Sequence, residues 1–259
     1  MIRFVPFIAV LATLLLFTGM TIAQDAAPLS KDDVKALVEE YIKDNPKTII
    51  EALQNFEVQQ REQEEAAATE RLSNYEDYLK NGDLPRVGNP EGDIQIVEFF
   101  DYNCGYCKQA FNDLQILLQA DPNVQVTFVE MPILGEPSLE AAKWSMAAEA
   151  QEDKYFNYHA AIMSFSGQKT EANLRTLANS AGLDVEALTV KAKDAEVIDK
   201  IEKNIQIARD IGIRGTPGFI INGEIYRGYL GYEGLKAVID EIRMSAEDSP
   251  ETIEEAPAS

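Results

Sequence analysis

The chain has 259 residues, with 23 Lys and Arg against 44 Asp and Glu, a formal net charge of −21, and 46% of its residues are hydrophobic. That length supports one medium domain plus additions around a packed core. So large an acidic excess excludes long-range attraction to phosphate backbones or anionic lipid, and no nucleic-acid partner is expected.

The first 23 residues set the compartment. Arg3 precedes an apolar run from Phe4 to Met20, and Thr21 and Ala23 stand at −3 and −1 of a cut after Ala23. This pattern predicts a cleaved signal peptide over 1–23 and a periplasmic body. The run is long for a signal peptide, so an uncleaved N-terminal membrane anchor is the alternative. Either way the body lies where disulfides form and persist.

Residues 24–82 read as a helical stalk. Ser30 stands three residues before Asp33, as in a capping box, and Val34, Leu37, Val38, Tyr41 and Ile42 follow at helical spacing. Asn45-Pro46 ends that helix and starts the next, with Asn45 as cap and Pro46 at the first helical position. Ile49, Ile50, Leu53 and Phe56 form an apolar stripe, QQREQEE over 59–65 is polar all round, and Leu72, Tyr75 and Leu79 resume the stripe before Asn81-Gly82. The spacing predicts one helix over 46–80, about 50 Å long. Apolar at its ends and solvated between, it points to self-association of the chain. Folding of both helices back onto the main domain is the alternative.

Gly and Pro mark 83–93 as a boundary, and Ile94–Phe100 is β-branched and aromatic, hence a strand. Cys104 and Cys107, the two cysteines of the chain, follow at once. A helix over 109–118 and a strand over 124–129 complete a βαβ unit with parallel strands. Residues 137–211 are helical, with starts at Pro137, Thr170, Asp184 and Asp194. A strand over 218–221, an Asn222-Gly223 hairpin turn, a return strand over 224–226 and a last helix carrying Leu235, Val238, Ile239 and Ile242 close the domain. Residues 246–259 read as a disordered acidic tail.

Two cysteines two residues apart can be a redox couple, half of a metal site or a small staple. Directly after a strand and opening a helix, Cys104 sits where free N–H groups and the helix dipole favour a thiolate. Cys107, one turn on, is placed to attack a mixed disulfide, so the arrangement reads as thiol–disulfide exchange. A tetrahedral metal site needs four ligands, and His159 is the single histidine. A staple closing so small a loop would stabilise little. No metal and no cofactor are expected. His159, Trp144, Tyr155, Phe156 and Tyr158 read as packing, and Lys108 as a solvated helix residue.

VEFFDYNCGYC and RGTPGFIINGEIYRGY, with MPILGEPSLEAAKW and KYFNYHAAIM between them, resemble the DsbA family of the thioredoxin superfamily over roughly 83–245. The helical N-terminus further resembles the suppressor-of-copper-sensitivity protein C (ScsC) subgroup. The resemblance implies an α/β, thioredoxin-like fold with an inserted helical domain and an N-terminal α-helical oligomerisation stalk. It implies Cys104 as attacking and Cys107 as resolving cysteine. Pro217 matches the family's cis-proline, and Thr216 would offer backbone groups to an extended substrate. Glu98 matches the glutamate beneath the active site, a half-buried carboxylate able to relay a proton to or from Cys107.

Gly105 and Tyr106, which the resemblance also places facing the substrate, supply no positive charge where strongly oxidising members of the family carry Pro-His. A milder couple is therefore expected. CGYC with Thr before the cis-proline is also the pairing of the periplasmic isomerase DsbC. The resulting expectation is a disulfide isomerase or reductase acting on unfolded or misdisulfided secreted proteins, reset by a membrane thiol-redox partner and assembled as a homo-oligomer. The alternatives are a DsbA-like dithiol oxidase and, in another class, an extracytoplasmic binding module with an inert disulfide or a copper-binding role.

Overall fold

The computed structural model describes residues 29–247. The expected signal peptide lies outside these residues, as does the expected acidic tail from 248 onward. The chain divides into two compact units, one ending at Val58 and the other beginning at Gln59.

In the first unit the expected capping box forms. Asp33 N–H donates to Ser30 Oγ at 3.2 Å, and Ser30 N–H donates to the Asp33 carboxylate at 3.0 Å. Helix α1 (Lys31–Asp44) buries no side chain. Asn45 closes it, with Asn45 Nδ2 donating to the Tyr41 carbonyl at 2.9 Å, so its side chain serves the helix before it. Pro46 takes the first position of α2 (Pro46–Ser73). Val34, Leu37, Val38, Tyr41 and Ile42, then Ile49, Ile50, Leu53 and Phe56, are all exposed.

In the second unit the last turns of α2 bury Ala68 and Leu72, and a separate helix α3 (Glu76–Asn81) buries Leu79. The single helix expected over 46–80 is thus broken at Asn74-Tyr75. The cause is anchorage to a distant partner: Arg71 Nε donates to the Asp210 carbonyl and the Tyr75 hydroxyl to the Asp210 carboxylate, both at 2.5 Å. Strand β1 (Arg86–Gly88), within the stretch read as a boundary, is three residues long and pairs antiparallel with β3 below.

The expected βαβ unit follows as β2 (Ile94–Phe100), α4 (Gly105–Ala120) and β3 (Val124–Glu130). Five helices come next: α5 (Glu136–Ala147), α6 (Glu152–Ser164), α7 (Glu171–Ser180), α8 (Val185–Lys191) and α9 (Ala195–Asp210). Thr170, Asp184 and Asp194 accept backbone N–H bonds as caps of the last three. The hairpin β4 (Gly218–Ile221) and β5 (Glu224–Arg227) turns at Asn222 and Gly223, both with positive φ (45° and 90°), as a type I′ turn requires. Helix α10 (Gly231–Glu247) ends the described chain, two residues into the stretch read as tail.

The sheet order is β1-β3-β2-β4-β5, with β2 and β3 parallel and the other pairs antiparallel. Both faces are covered, which is why β2 and β3 are apolar nearly throughout rather than alternating. Ile94, Ile96 and Phe100 meet Phe111, Leu114 and Leu117 of α4 and Leu235 and Ile239 of α10 in one core. Val97, Phe99, Val129 and Ile220 meet Leu72, Leu79, Ile207 and Ala208 in the other. The five-helix insertion joins the first core through Trp144, Tyr155, Tyr158 and Ile162.

Candidate active site

The cysteines stand at the junction of β2 and α4. Cys104 is the residue preceding the helix, with extended backbone (φ −77°, ψ 120°), and is 7% exposed, whereas Cys107 is fully buried. Both are free thiols. Asp101, three residues before Cys104, sets the bend between strand and helix. Its carbonyl accepts the Cys104 N–H at 3.0 Å. Its carboxylate accepts Asn103 N–H at 2.7 Å on one oxygen and Ile133 and Leu134 N–H, each at 2.9 Å, on the other. One buried carboxylate therefore ties the cysteine loop to the segment after β3. The residues at 101 and 133–134 were not singled out from the sequence; the available signal is an acid between an apolar strand and a helix.

The segment before β4 closes the other side. The Thr216–Pro217 bond is cis, and the Cys104 thiol donates to the Thr216 carbonyl at 3.2 Å. The Pro217 carbonyl accepts the Gly228 N–H at 3.0 Å. The structure thus brings Cys104, Cys107, Thr216 and Pro217 into one place from positions more than a hundred residues apart.

Glu98 lies on the β2 face that carries Ile96 and Phe100, toward α4. It is fully buried rather than half-buried, and neither carboxylate oxygen has a hydrogen-bond partner among the described residues. Burial, with a smaller contribution from the charge of Cys104, raises its pKa to about 8. Burial likewise pushes the Cys107 thiol up, and the Glu98 charge adds to it; hydrogen bonds from the Asp101 backbone and Thr216 offset this only in part. The Glu98 charge thus disfavours a Cys107 thiolate, while the charge that acts on Glu98 is that of Cys104.

Gly105 and Tyr106 face outward. A side chain at Gly105 would meet nothing within 4 Å, so glycine is not demanded there by packing. Tyr106 is 60% exposed. Lys108 is not merely solvated: its Nζ donates to the Phe165 carbonyl at 3.1 Å, which also accepts from the buried Lys169 at 2.7 Å. The loop after α6 is thereby fastened to the start of α4.

His159 is packing, as expected. It is enclosed by Phe100, Phe111, Phe128 and Phe156, and burial lowers its pKa to about 3. Its Nδ1 is hydrogen-bonded to the Tyr102 hydroxyl at 2.8 Å, and Tyr102 meets Ser145 Oγ at 2.6 Å. Glu130, the last residue of β3, is buried beside these groups and held well above the ordinary carboxyl range by burial. Sequence reading passed over it, although VQVTFVE ends an apolar strand on an acid much as IQIVEFF contains one. Among the described residues no cluster of three or more His, Cys, Asp or Glu could hold a metal ion, and no helix is long and apolar enough to cross a membrane.

Comparison with known proteins places this geometry. The DSBA-like thioredoxin domain family matches residues 95–240, and the copper resistance protein ScsC N-terminal domain matches residues 31–63. A thioredoxin-like oxidoreductase from Silicibacter pomeroyi DSS-3 is 40% identical, covers 65% of this chain and 97% of its own, and superposes with a TM-score of 0.61. Proteus mirabilis ScsC in a transitional conformation is 25% identical, covers 83% of this chain and 97% of its own, with a TM-score of 0.62. The chain is also 25% identical over 165 residues to Na(+)/H(+) antiporter NhaA 3 of Salinispora tropica, which covers 63% of this chain. It spans about a quarter of the length of the antiporter relatives it matches first. A sheet that sets a cysteine pair on a helix start against a cis-proline, joined to a family match over more than half the chain, makes this protein a member of the DsbA-like thioredoxin-domain family of thiol–disulfide oxidoreductases.

Proposed function

We propose that the protein reshuffles or reduces disulfides of secreted proteins in the periplasm, working from a homo-oligomer. The observation that carries this is the asymmetry of the pair. Cys104, the more accessible of the two at 7% exposure, stands at the start of α4 and bonds the Thr216 carbonyl, while Cys107 is fully buried beside an unpartnered carboxyl group, Glu98.

The chemistry follows from that asymmetry. The Cys104 thiolate attacks one sulfur of a substrate disulfide; a new S–S bond forms and the other substrate sulfur leaves as a thiolate. A substrate thiol can then attack the mixed disulfide and expel Cys104, which moves the bond with no net oxidation. Alternatively Cys107 loses its proton to the ionised form of Glu98, attacks Cys104 Sγ and expels the second substrate thiolate. In that case the Cys104–Cys107 pair is oxidised and the substrate disulfide reduced. Thr216 and the cis Pro217 present backbone to the extended substrate, and Gly105 and Tyr106 flank it. A membrane thiol-redox partner would return the pair to the dithiol.

Two features support reshuffling over oxidation. Gly105 and Tyr106 place no cation between the cysteines, and Lys108, the next residue after the pair, spends its ammonium on the Phe165 carbonyl. The exposed apolar stripes of α1 and the start of α2 give a second copy something to bury. Refolding of ribonuclease separates the two directions. The reduced protein is expected to restore activity to scrambled, fully oxidised ribonuclease, and Cys107→Ala to accumulate a mixed disulfide. Activity confined to fully reduced ribonuclease would instead establish an oxidase, and no trapped species at all would leave an inert disulfide.

A further inference from the structure

We infer that Lys108 and Lys169 form a carboxylate-binding site beside the cysteine pair, which favours disulfides carrying an acidic group next to the attacked sulfur. The inference rests on the thiol–disulfide exchange proposed above and names the substrate class of that site.

The starting observation is a pair of cations without an anion, in a chain whose formal net charge is −21. Lys169 is the one buried lysine among the described residues, at 3% exposure. Lys143, Lys191 and Lys200, the other lysines that are not fully exposed, each hold a carboxylate partner. Half-buried Lys108 and buried Lys169 hold none among the described residues. Their ammonium groups share the Phe165 carbonyl instead, at 3.1 Å and 2.7 Å, and so stand no further apart than the sum of those distances. Phe165 closes α6, and a helix C-terminus offers only about half a negative charge against two full positive ones. Burial, with the charge of Lys108, lowers the Lys169 pKa to about 8. The Asp101 carboxylate acts the other way, but its oxygens are already taken by three backbone N–H groups.

The pair is held ready by the loop after α6. A Cβ at Gly167 would lie 2.4 Å from the Phe165 ring, so the turn closes tightly there. Lys169 Nζ lies 5.6 Å from the centre of the same ring. Residues 166–168 are exposed, which leaves the ammonium groups at the edge of the protein. The site also lies next to the chemistry. Lys108 N–H donates to the Cys104 carbonyl at 3.2 Å, one turn along α4. The buried face of that helix carries Cys107, Phe111 and Leu114; Lys108 stands on the flank it shares with Cys104, and Tyr106 on the opposite flank. The Cys104 thiol bonds the Thr216 carbonyl, so the ammonium pair is left to meet a neighbouring group of the substrate rather than the sulfur. A carboxylate there would give both ammonium groups the charged acceptor they lack.

Two sources carry that chemistry, an acidic side chain beside a protein cysteine and the carboxylates of glutathione, and the test has an arm for each. It uses the reduced full-length protein. The first arm compares capped peptide disulfides, the symmetric dimers of Ala-Glu-Cys-Glu-Ala and Ala-Gln-Cys-Gln-Ala. The second compares glutathione disulfide with its fully amidated form. At low salt the wild type is expected to show a KM about fivefold lower for the acidic member of a pair, falling to less than about twofold near about 0.5 M NaCl. Lys108→Met and Lys169→Met are each expected to reduce the low-salt preference to less than about twofold, and Lys108→Arg to retain most of it because the charge remains. A lysine-dependent preference in the peptide arm supports the site with an acidic protein substrate, and one confined to the second arm supports it with glutathione as ligand. Equal KM values within both pairs in the wild type, or a preference kept by both methionine variants, would overturn the site while leaving the exchange reading intact. Failure of the wild type to exchange with any of the four disulfides would overturn the exchange reading and the site with it.

Discussion

Glu98 shows how much one buried side chain can dictate. Its carboxyl group holds its proton more tightly in the folded protein, with a pKa near 8, than in the unfolded chain. The resulting stabilisation is complete below about pH 4 and is lost as pH rises through about 8. Glu98→Gln removes the dependence. Urea unfolding of the reduced protein should show the variant gaining on wild type, on the order of 3 kcal/mol between about pH 5 and pH 9. Parallel pH profiles would mean the carboxyl group is solvated. The intervening dipeptide is the second residue-scale lever. Because nothing crowds Gly105 and proline suits the first helical position, Gly105→Pro with Tyr106→His should fold. It should raise the potential of the pair by about 30 mV or more, the histidine favouring the thiolate. An unchanged potential would remove the dipeptide argument. The cysteine pair was legible in the sequence as a local motif and Glu98 as an acid in an apolar strand, whereas the cis bond at Thr216-Pro217 was expected only through the family resemblance, since Thr-Pro by itself is no signal for it. Asp101 and Glu130 were not legible, because what they do depends on groups 15 to 33 residues away.

Among the elements, the join between β2 and α4 carries the most consequence. Asp101 alone satisfies three part-buried backbone N–H groups there, and its loss would leave all three without a protein acceptor. Asp101→Ala should destabilise the protein by about 2–3 kcal/mol, with amide exchange accelerated first at 133–134. Unchanged protection of those amides would contradict this assignment. Strands β2 to β5, the hairpin turn and the caps at Ser30, Thr170, Asp184 and Asp194 followed from period, β-branching and turn residues. The break of the long helix did not, since leucines at 72 and 79 keep helical spacing and only the bonds to Asp210 reveal the bend. Strand β1 was hidden for a related reason. Three residues that follow Pro85 and end on Gly88 carry no periodicity, and pairing with β3 alone defines them.

At the scale of the molecule, the two units carry different apolar surface. From Gln59 on, large apolar side chains are mostly buried in cores; before it, they are displayed on α1 and α2. Leu53→Asp with Phe56→Asp should lower the mass seen by light scattering to that of one chain and abolish isomerase activity, while reduction of a small peptide disulfide continues. An unchanged mass would remove self-association through this face. A truncation intended for the same purpose must stop near residue 58, since Leu72 and Leu79 belong to the sheet's core. The central claim, that this fold holds a mild couple suited to reshuffling, is tested most directly by the reduction potential of Cys104–Cys107 in the full chain. Equilibration with glutathione should give a value well below about −120 mV, the potential of a strong dithiol oxidase. A value at or above that figure would contradict the account and assign the protein to making disulfides.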